Sequence, residues 1–184
     1  MKVILINGSP HEKGCTYTAL VEVARGLNDN GVESEIVHIG NQVIRGCMGC
    51  YACRKLGKCV YDDVVNDLAA KLSLVDGMII GSPVYFASPN GTLISLLDRL
   101  YACFGDSLVN KPCGCIVSAR RAGTTSSLEV LNKYPLVCQQ PIVSSSYWCM
   151  VHGNTPTEIK SDLEGMEIAY NLGVGMAKML HKLV

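Results

Sequence analysis

The chain has 184 residues, 48% of them hydrophobic and 17% charged, and ten are cysteines. Its sixteen basic and sixteen acidic residues cancel, which leaves no electrostatic footprint for nucleic acid or an anionic membrane and suits a small neutral partner. This length is enough for one domain to bury a core without metal or disulfide staples, and no apolar run approaches the roughly 18–20 residues of a membrane span.

The first strand is predicted at 3 to 7, "VILIN". Asn7-Gly8-Ser9-Pro10 stops it too soon for a signal-peptide core. The expected compartment is therefore the reducing cytoplasm, where clustered cysteines bind metals or do redox chemistry more often than they form disulfides. The segment "GSPHEKGCTYT", residues 8 to 18, then leads into a helix. Ser9, Thr16 and Thr18 supply hydroxyls, Gly8 and Gly14 allow close backbone approach, and the helix N-terminus offers N–H groups to an anion. The pattern is neither G-x-G-x-x-G nor G-x-x-x-x-G-K-[ST], which disfavours a dinucleotide fold or a P-loop ATPase. A monophosphate suits it better. The helix carries Leu20, Val23, Ala24 and Leu27 on one face and ends near 28 to 31, with Gly31 as the expected C-cap.

A second strand, "SEIVHI" at 34 to 39, is followed by "CMGCYACRKLGKC", with Cys47, Cys50, Cys53 and Cys59 spaced C-x2-C-x2-C-x5-C. Three close thiolates can meet three corners of an iron–sulfur cubane and the fourth can reach the last corner; bacterial ferredoxins share the first three spacings. Gly49 and Gly57 supply turns. Structural zinc more often takes two separated pairs of ligands, though zinc and free thiols both stay open on the residues alone. Cys103, Cys113, Cys115, Cys138 and Cys149 lie in apolar segments and read as small buried hydrophobes. A helix is predicted from Asp62-Asp63, whose carboxylates suit a helix N-terminus, to about Ser73.

The third strand, "GMIIGSPV" at 77 to 84, runs into "GSPVYFASPNG" at 81 to 91. That loop puts Pro83, Val84, Tyr85 and Phe86 where a flat aromatic ligand would lie. A helix follows from 89 to 91, with Leu93, Leu96, Leu97 and Leu100 facing inward. The fourth strand is "CGCIVS" at 113 to 118, its loop "SARRAGTTSS" at 118 to 127, and a fourth helix lies near 124 to 133. The fifth strand is "PIVSSS" at 141 to 146. A last helix spans about Thr157 to Leu183, with Ala169, Leu172, Met176, Met179, Leu180 and Leu183 as its apolar stripe.

Alternating strands and helices make one α/β domain over residues 1 to 184, with a cysteine-rich insertion at about 45 to 61. The expected fold is a flavodoxin-like doubly wound, five-stranded parallel sheet of order 2-1-3-4-5, helices on both faces, and a ligand crevice at the carboxyl ends of strands 1, 3 and 4. The histidines at 11, 38, 152 and 181 fall in dissimilar contexts, and neither a Ser-His-Asp nor an H-E-x-x-H arrangement occurs. No side chain is assigned as acid or base.

With these loops in place the chain resembles the NAD(P)H-dependent FMN reductases and iron–sulfur flavoproteins of the flavodoxin-like fold. "INGSPHEKGCT" is similar to their phosphate loop, "GSPVYFASPNGTLISLLDR" to their isoalloxazine loop and following helix, and "CMGCYACRKLGKCVYDD" to the cysteine motif of the iron–sulfur flavoproteins. The resemblance implies noncovalent FMN, its phosphate held by Ser9, Cys15 and Thr16 with the neighbouring His11 and Gly14, and its ring by Pro83, Val84, Tyr85 and Phe86. A third contact is expected from Ala119, Arg120 and Gly123. It also implies a 4Fe-4S cluster on Cys47, Cys50, Cys53 and Cys59, and a homodimer or homotetramer. Arg120 and Arg121 replace the small residues usual in the family, and one of them is expected to face reduced flavin or a nicotinamide phosphate. The implied activity is FMN-dependent oxidoreduction, with NAD(P)H or a small ferredoxin-like protein as donor. A cluster-free FMN or quinone reductase and a flavin-binding carrier without turnover are the alternatives.

Overall fold

The computed structural model describes residues 1–183. The elements in chain order are β1 (Lys2–Asn7), α1 (Cys15–Asn28), β2 (Glu33–His38), α2 (Cys53–Leu56), α3 (Val64–Ser73), β3 (Gly77–Tyr85), β4 (Ser88–Pro89), α4 (Gly91–Leu108), β5 (Cys113–Ala119), α5 (Thr124–Val137), β6 (Ile142–Val143), β7 (Met150–His152), α6 (Pro156–Ser161) and α7 (Leu163–Leu183). The parallel sheet runs β2-β1-β3-β5-β6, with β7 also on β5 and β4 folded back antiparallel on β3. This is the predicted doubly wound order, in which the predicted fourth strand is β5 and the predicted fifth is divided into β6 and β7.

β1, β3 and β5 form the centre because their sequences are apolar on both faces, as a strand covered by helices on both sides requires. Val3 to Ile6, Met78 to Ile80 and Cys113 to Val117 are buried. On one face lie α1, α6 and α7. On the other lie α3, α4 and α5, where the Tyr134 hydroxyl donates to Asp98 at 2.6 Å and the Tyr101 and Tyr134 rings pack with centroids 5.2 Å apart. The α1–α7 crossing is backbone against backbone. A Cβ on Gly26 would overlap the Tyr170 carbonyl, and one on Gly173 would overlap the Val23 carbonyl.

Several predicted boundaries move. The α1 cap is Asp29, and Gly31, at φ +75°, turns the chain two residues later. "PIVSSS" keeps only Ile142 and Val143 in the sheet. Residues 144 to 149 then leave it before Met150 to His152 rejoin β5. Serine side chains compete for backbone partners, and the Ser145 hydroxyl donates to the Ile168 carbonyl at 2.6 Å instead of leaving the strand in register. The last helix starts at Pro156 and is broken at Asp162, whose carboxylate accepts from the Gly165 and His152 N–H groups at 3.1 and 2.7 Å. Of its predicted stripe Ala169, Leu172, Met176 and Leu180 are buried, but Leu183 is exposed. Among the described residues no helix is long and apolar enough to cross a membrane.

Candidate functional site

The loops after β1, β3 and β5 meet at one edge of the sheet. Asn7, fully buried at the end of β1, organises the first. Its Oδ1 accepts from the Ser9 N–H at 3.1 Å and its Nδ2 donates to the Glu12 carbonyl at 2.9 Å. The Ser9 hydroxyl oxygen accepts from the His11 N–H at 3.2 Å. Gly14 caps α1 with no side-chain hydrogen bond, and the first turn holds no acidic residue, so its dipole and N–H groups stay available to an anion. A Cβ on Gly14 would press on the His11 Cβ at 2.8 Å; the glycine is needed by the loop's own packing. The His11 side chain is exposed. Thr16 is buried, and its hydroxyl shares a 2.8 Å hydrogen bond with that of Ser118 at the end of β5. Burial raises the Cys15 thiol above its ordinary range, which keeps it neutral at the N-terminus of α1.

After β3 the chain makes a two-residue hairpin, pairing Val84 with Pro89 and Tyr85 with Ser88. Phe86 and Ala87 at its tip have φ +51° and +59°, the left-handed geometry of a tight hairpin turn that glycine or asparagine usually occupies. Strain of this kind gathers at functional sites. Pro83 and Val84 are half-buried, Tyr85 is exposed, and the Phe86 side chain is wholly exposed. Ser82 and Asn90 fix the return of the loop. The Asn90 N–H donates to Ser82 Oγ at 3.0 Å, and Asn90 Oδ1 caps α4 by accepting from Thr92 at 2.8 Å. In the third loop Ala119 is buried, Arg120 and Arg121 are exposed, and Gly123, at φ +94°, lies under the hairpin tip. A Cβ there would come within 2.7 Å of Ala87 Cα.

A fourth loop, not anticipated, completes the rim. The Gly153 N–H donates to the Ala119 carbonyl at 2.9 Å, and the Cys15 Sγ approaches the Gly153 carbonyl at 3.9 Å. The signal for it is "HGNTPTE" at 152 to 158. Thr155 caps α6 by accepting from the Glu158 N–H at 3.2 Å, the Glu158 carboxylate accepts from the Asn154 N–H at 2.9 Å, and Pro156 stands in the first helical turn.

Cys47, Cys50, Cys53 and Cys59 line a single small cavity of about 30 Å³ against α4. A fifth cysteine, Cys103, lines it too, so the reading of Cys103 as an ordinary core residue is corrected. Burial, then Cys53 and Cys59, pushes its thiol up to about 12. Cys113, Cys115 and Cys149 are buried as expected, and Cys138 is half-buried. Among the described residues no group of three or more His, Cys, Asp or Glu is gathered to hold a single metal ion. The donors at the cavity are soft thiols, which suit iron–sulfur chemistry. Cys47 and Cys50 are exposed, and a Cβ on Gly46 or Gly49 would meet nothing within 4 Å, so no neighbouring residue packs against that arm of the loop at these positions.

Helix α4 joins the two regions. Its cap, Asn90, belongs to the loop after β3, and Arg99 lines the cysteine cavity. Nine residues of α-helix separate them by about 14 Å.

Residues 1–155 match the sequence family described as NADPH-dependent FMN reductase. An iron-sulfur flavoprotein of Methanocaldococcus jannaschii is 31% identical over 98% of this chain and 97% of its own. One from Methanosarcina thermophila is 35% identical over 54% of this chain and 52% of its own. Among solved structures, RosB with the bound intermediate 8-demethyl-8-formylriboflavin-5'-phosphate superposes with a TM-score of 0.81 at 13% identity, covering 100% of this chain and 80% of that one. A WrbA-like flavodoxin from Agrobacterium tumefaciens gives 0.66 at 17% identity, covering 98% and 96%. At such identities the structural likeness speaks for the flavodoxin-like fold.

Proposed function

The chain belongs to the NADPH-dependent FMN reductase family, and from that premise we propose that this FMN-dependent oxidoreductase also carries a 4Fe-4S cluster on Cys47, Cys50, Cys53 and Cys59. The observation that carries the proposal is that all four thiols line one cavity on α4, the helix whose cap lies in the flavin loop. When bound, FMN supplies electron transfer in pairs or singly, and a cluster supplies single-electron steps.

The residues divide the binding work. Ser9, Cys15 and Thr16, with the backbone at His11 and Gly14, receive the phosphate at the uncapped N-terminus of α1. Pro83, Val84, Tyr85 and Phe86 give the ring an apolar wall with backbone amides at its edge, and Ala119, Arg120 and Gly123 adjoin that wall beneath the hairpin tip. NAD(P)H or a ferredoxin-like protein delivers the electrons. A homodimer or homotetramer accounts for the full exposure of Phe86, which a neighbouring subunit covers. A reducing cytoplasm is the compartment that keeps such a thiol-rich loop competent to bind iron.

A second reading, the cluster-free NAD(P)H-dependent FMN or quinone reductase, is favoured by the cavity volume of about 30 Å³, which is small for a cubane. Anaerobic purification with iron and sulfide analysis and an ultraviolet–visible spectrum decides between them. Four irons and four sulfides per chain are expected. A yellow, iron-free protein after reconstitution would leave the second reading standing.

A further inference from the structure

Arg99 is the largest wholly buried side chain, 1% exposed, and sequence reading assigned it nothing. All five of its N–H groups are engaged. Nε donates to Cys59 Sγ at 3.2 Å. Nη1 and Nη2 each donate to one oxygen of Asp63, at 2.6 and 2.9 Å. The remaining two reach the Arg45 carbonyl at 3.4 Å and the Tyr61 carbonyl at 3.3 Å. The Tyr61 ring packs 5.0 Å from the guanidinium carbon. One side chain of α4 therefore holds both ends of the cysteine loop, the approach at Arg45 and the exit at Cys59 to Asp63.

A guanidinium stays charged under all ordinary conditions, and burying one is costly unless it is paired and its donors are satisfied. Asp63 meets that requirement with a two-pronged pair, and it is itself fixed as the α3 cap by accepting from the Val65 N–H at 3.1 Å. If pairing were the whole purpose, the fifth donor would not need a sulfur. Its direction onto Cys59 places a permanent cation and an N–H at a ligand atom. Hydrogen bonds to ligand sulfurs and nearby charge are the protein's main controls on iron–sulfur potentials. Stabilising the electron-rich, reduced state raises the potential.

We propose that Arg99 is a positioning residue that holds Cys59 in its ligating posture and raises the reduction potential of the cluster bound there, with Asp63 as its anchor. The inference rests on the cluster reading above. The test uses the full chain, reconstituted anaerobically with iron and sulfide, as wild type, Arg99→Lys and the double variant Arg99→Met with Asp63→Asn. The double variant removes the buried ion pair as a unit, so no lone charge is left inside, and it keeps the test decisive if Arg99→Lys fails to fold. Iron content, thermal midpoint and the midpoint potential from a spectroelectrochemical titration are measured together. Lysine keeps the charge, but its single nitrogen cannot serve Cys59 and both Asp63 oxygens at once; its potential is expected below wild type, and so is that of the double variant, which keeps the net charge of the pair but lacks any N–H donor to Cys59. Iron-loaded variants that titrate at the wild-type potential overturn the proposal and leave the cluster reading intact. A wild-type chain that takes up no iron overturns both.

Discussion

The backbone of Gly40 lies directly against the carbonyl of Ser9, so that a Cβ at residue 40 would overlap that carbonyl and crowd the Pro10 nitrogen. The same carbonyl accepts from His38 Nε2 at 2.8 Å; because a carbonyl cannot donate, Nε2 carries the proton. The end of β2 thus props the loop after β1 from below. Gly40→Ala is expected to push Ser9 and Pro10 toward the crevice and weaken FMN binding by on the order of tenfold, about 1.4 kcal/mol. Titration of the apoprotein with FMN, followed by quenching of flavin fluorescence, measures this. Unchanged affinity would mean that the phosphate is held elsewhere.

Gly123 faces the hairpin tip, and its φ of +94° is one that an L side chain adopts only under strain. Gly123→Ala adds that strain to the contact with Ala87 Cα, at a cost of about 2 kcal/mol in stability. Ala87→Gly relieves its own left-handed conformation, and the expected change has the opposite sign. Urea midpoints of the two variants check the pair, and equal shifts would remove the argument from turn geometry.

Cys103 lines the cysteine cavity, yet it lies on a regular helix forty-four residues past Cys59 and outside the C-x2-C-x2-C-x5-C spacing. The assigned ligand set predicts that Cys47→Ser, Cys50→Ser, Cys53→Ser and Cys59→Ser each abolish stable iron loading, whereas Cys103→Ser leaves it intact. Iron and sulfide analysis after anaerobic reconstitution reads this directly. Loss of iron on changing Cys103 alone, with one of the four dispensable, would reassign the fourth ligand to α4.

β1, β3 and β5 were legible because strands covered on both faces appear as unbroken apolar runs, and their punctuation by Gly, Ser and Pro placed the loops of the crevice. β7 was not, since "MVH" is too short to signal a strand and its pairing with Val117 to Ala119 depends on where β5 ends. The break at Asp162 was hidden within a continuous helical period, because what stops the helix is a carboxylate drawn to His152 in another element. Arg99 was the largest omission. It sits beside an apolar stripe, and the partners that make it meaningful, Cys59 and Asp63, lie forty and thirty-six residues earlier. Local periodicity carries no trace of such a contact.

Behind β5 several acidic protons are held far more tightly than in an unfolded chain. Burial raises the Tyr101 hydroxyl, which donates to Gln140 at 2.7 Å, well above the ordinary phenol range. A hydrogen bond with Cys113, followed by burial, raises Cys115, and burial, partly offset by a hydrogen bond with the Ser145 backbone, pushes Cys149 up to about 11. The sign follows from proton counting. Above the unfolded thiol value near 8.5–9 the unfolded chain sheds protons that the folded chain keeps, so stability falls as pH rises. It is fully present below that value. For Cys149 the loss across the interval up to about 11 is on the order of 2–3 kcal/mol. Urea midpoints in reducing buffer are expected to be level from pH 7 to 8 and to decline steadily from pH 9. Cys149→Ala lowers the neutral-pH midpoint slightly, by loss of packing, but makes the alkaline decline shallower, because one of the retained protons has been removed. A variant that declines as steeply as wild type would place the alkaline sensitivity at other groups.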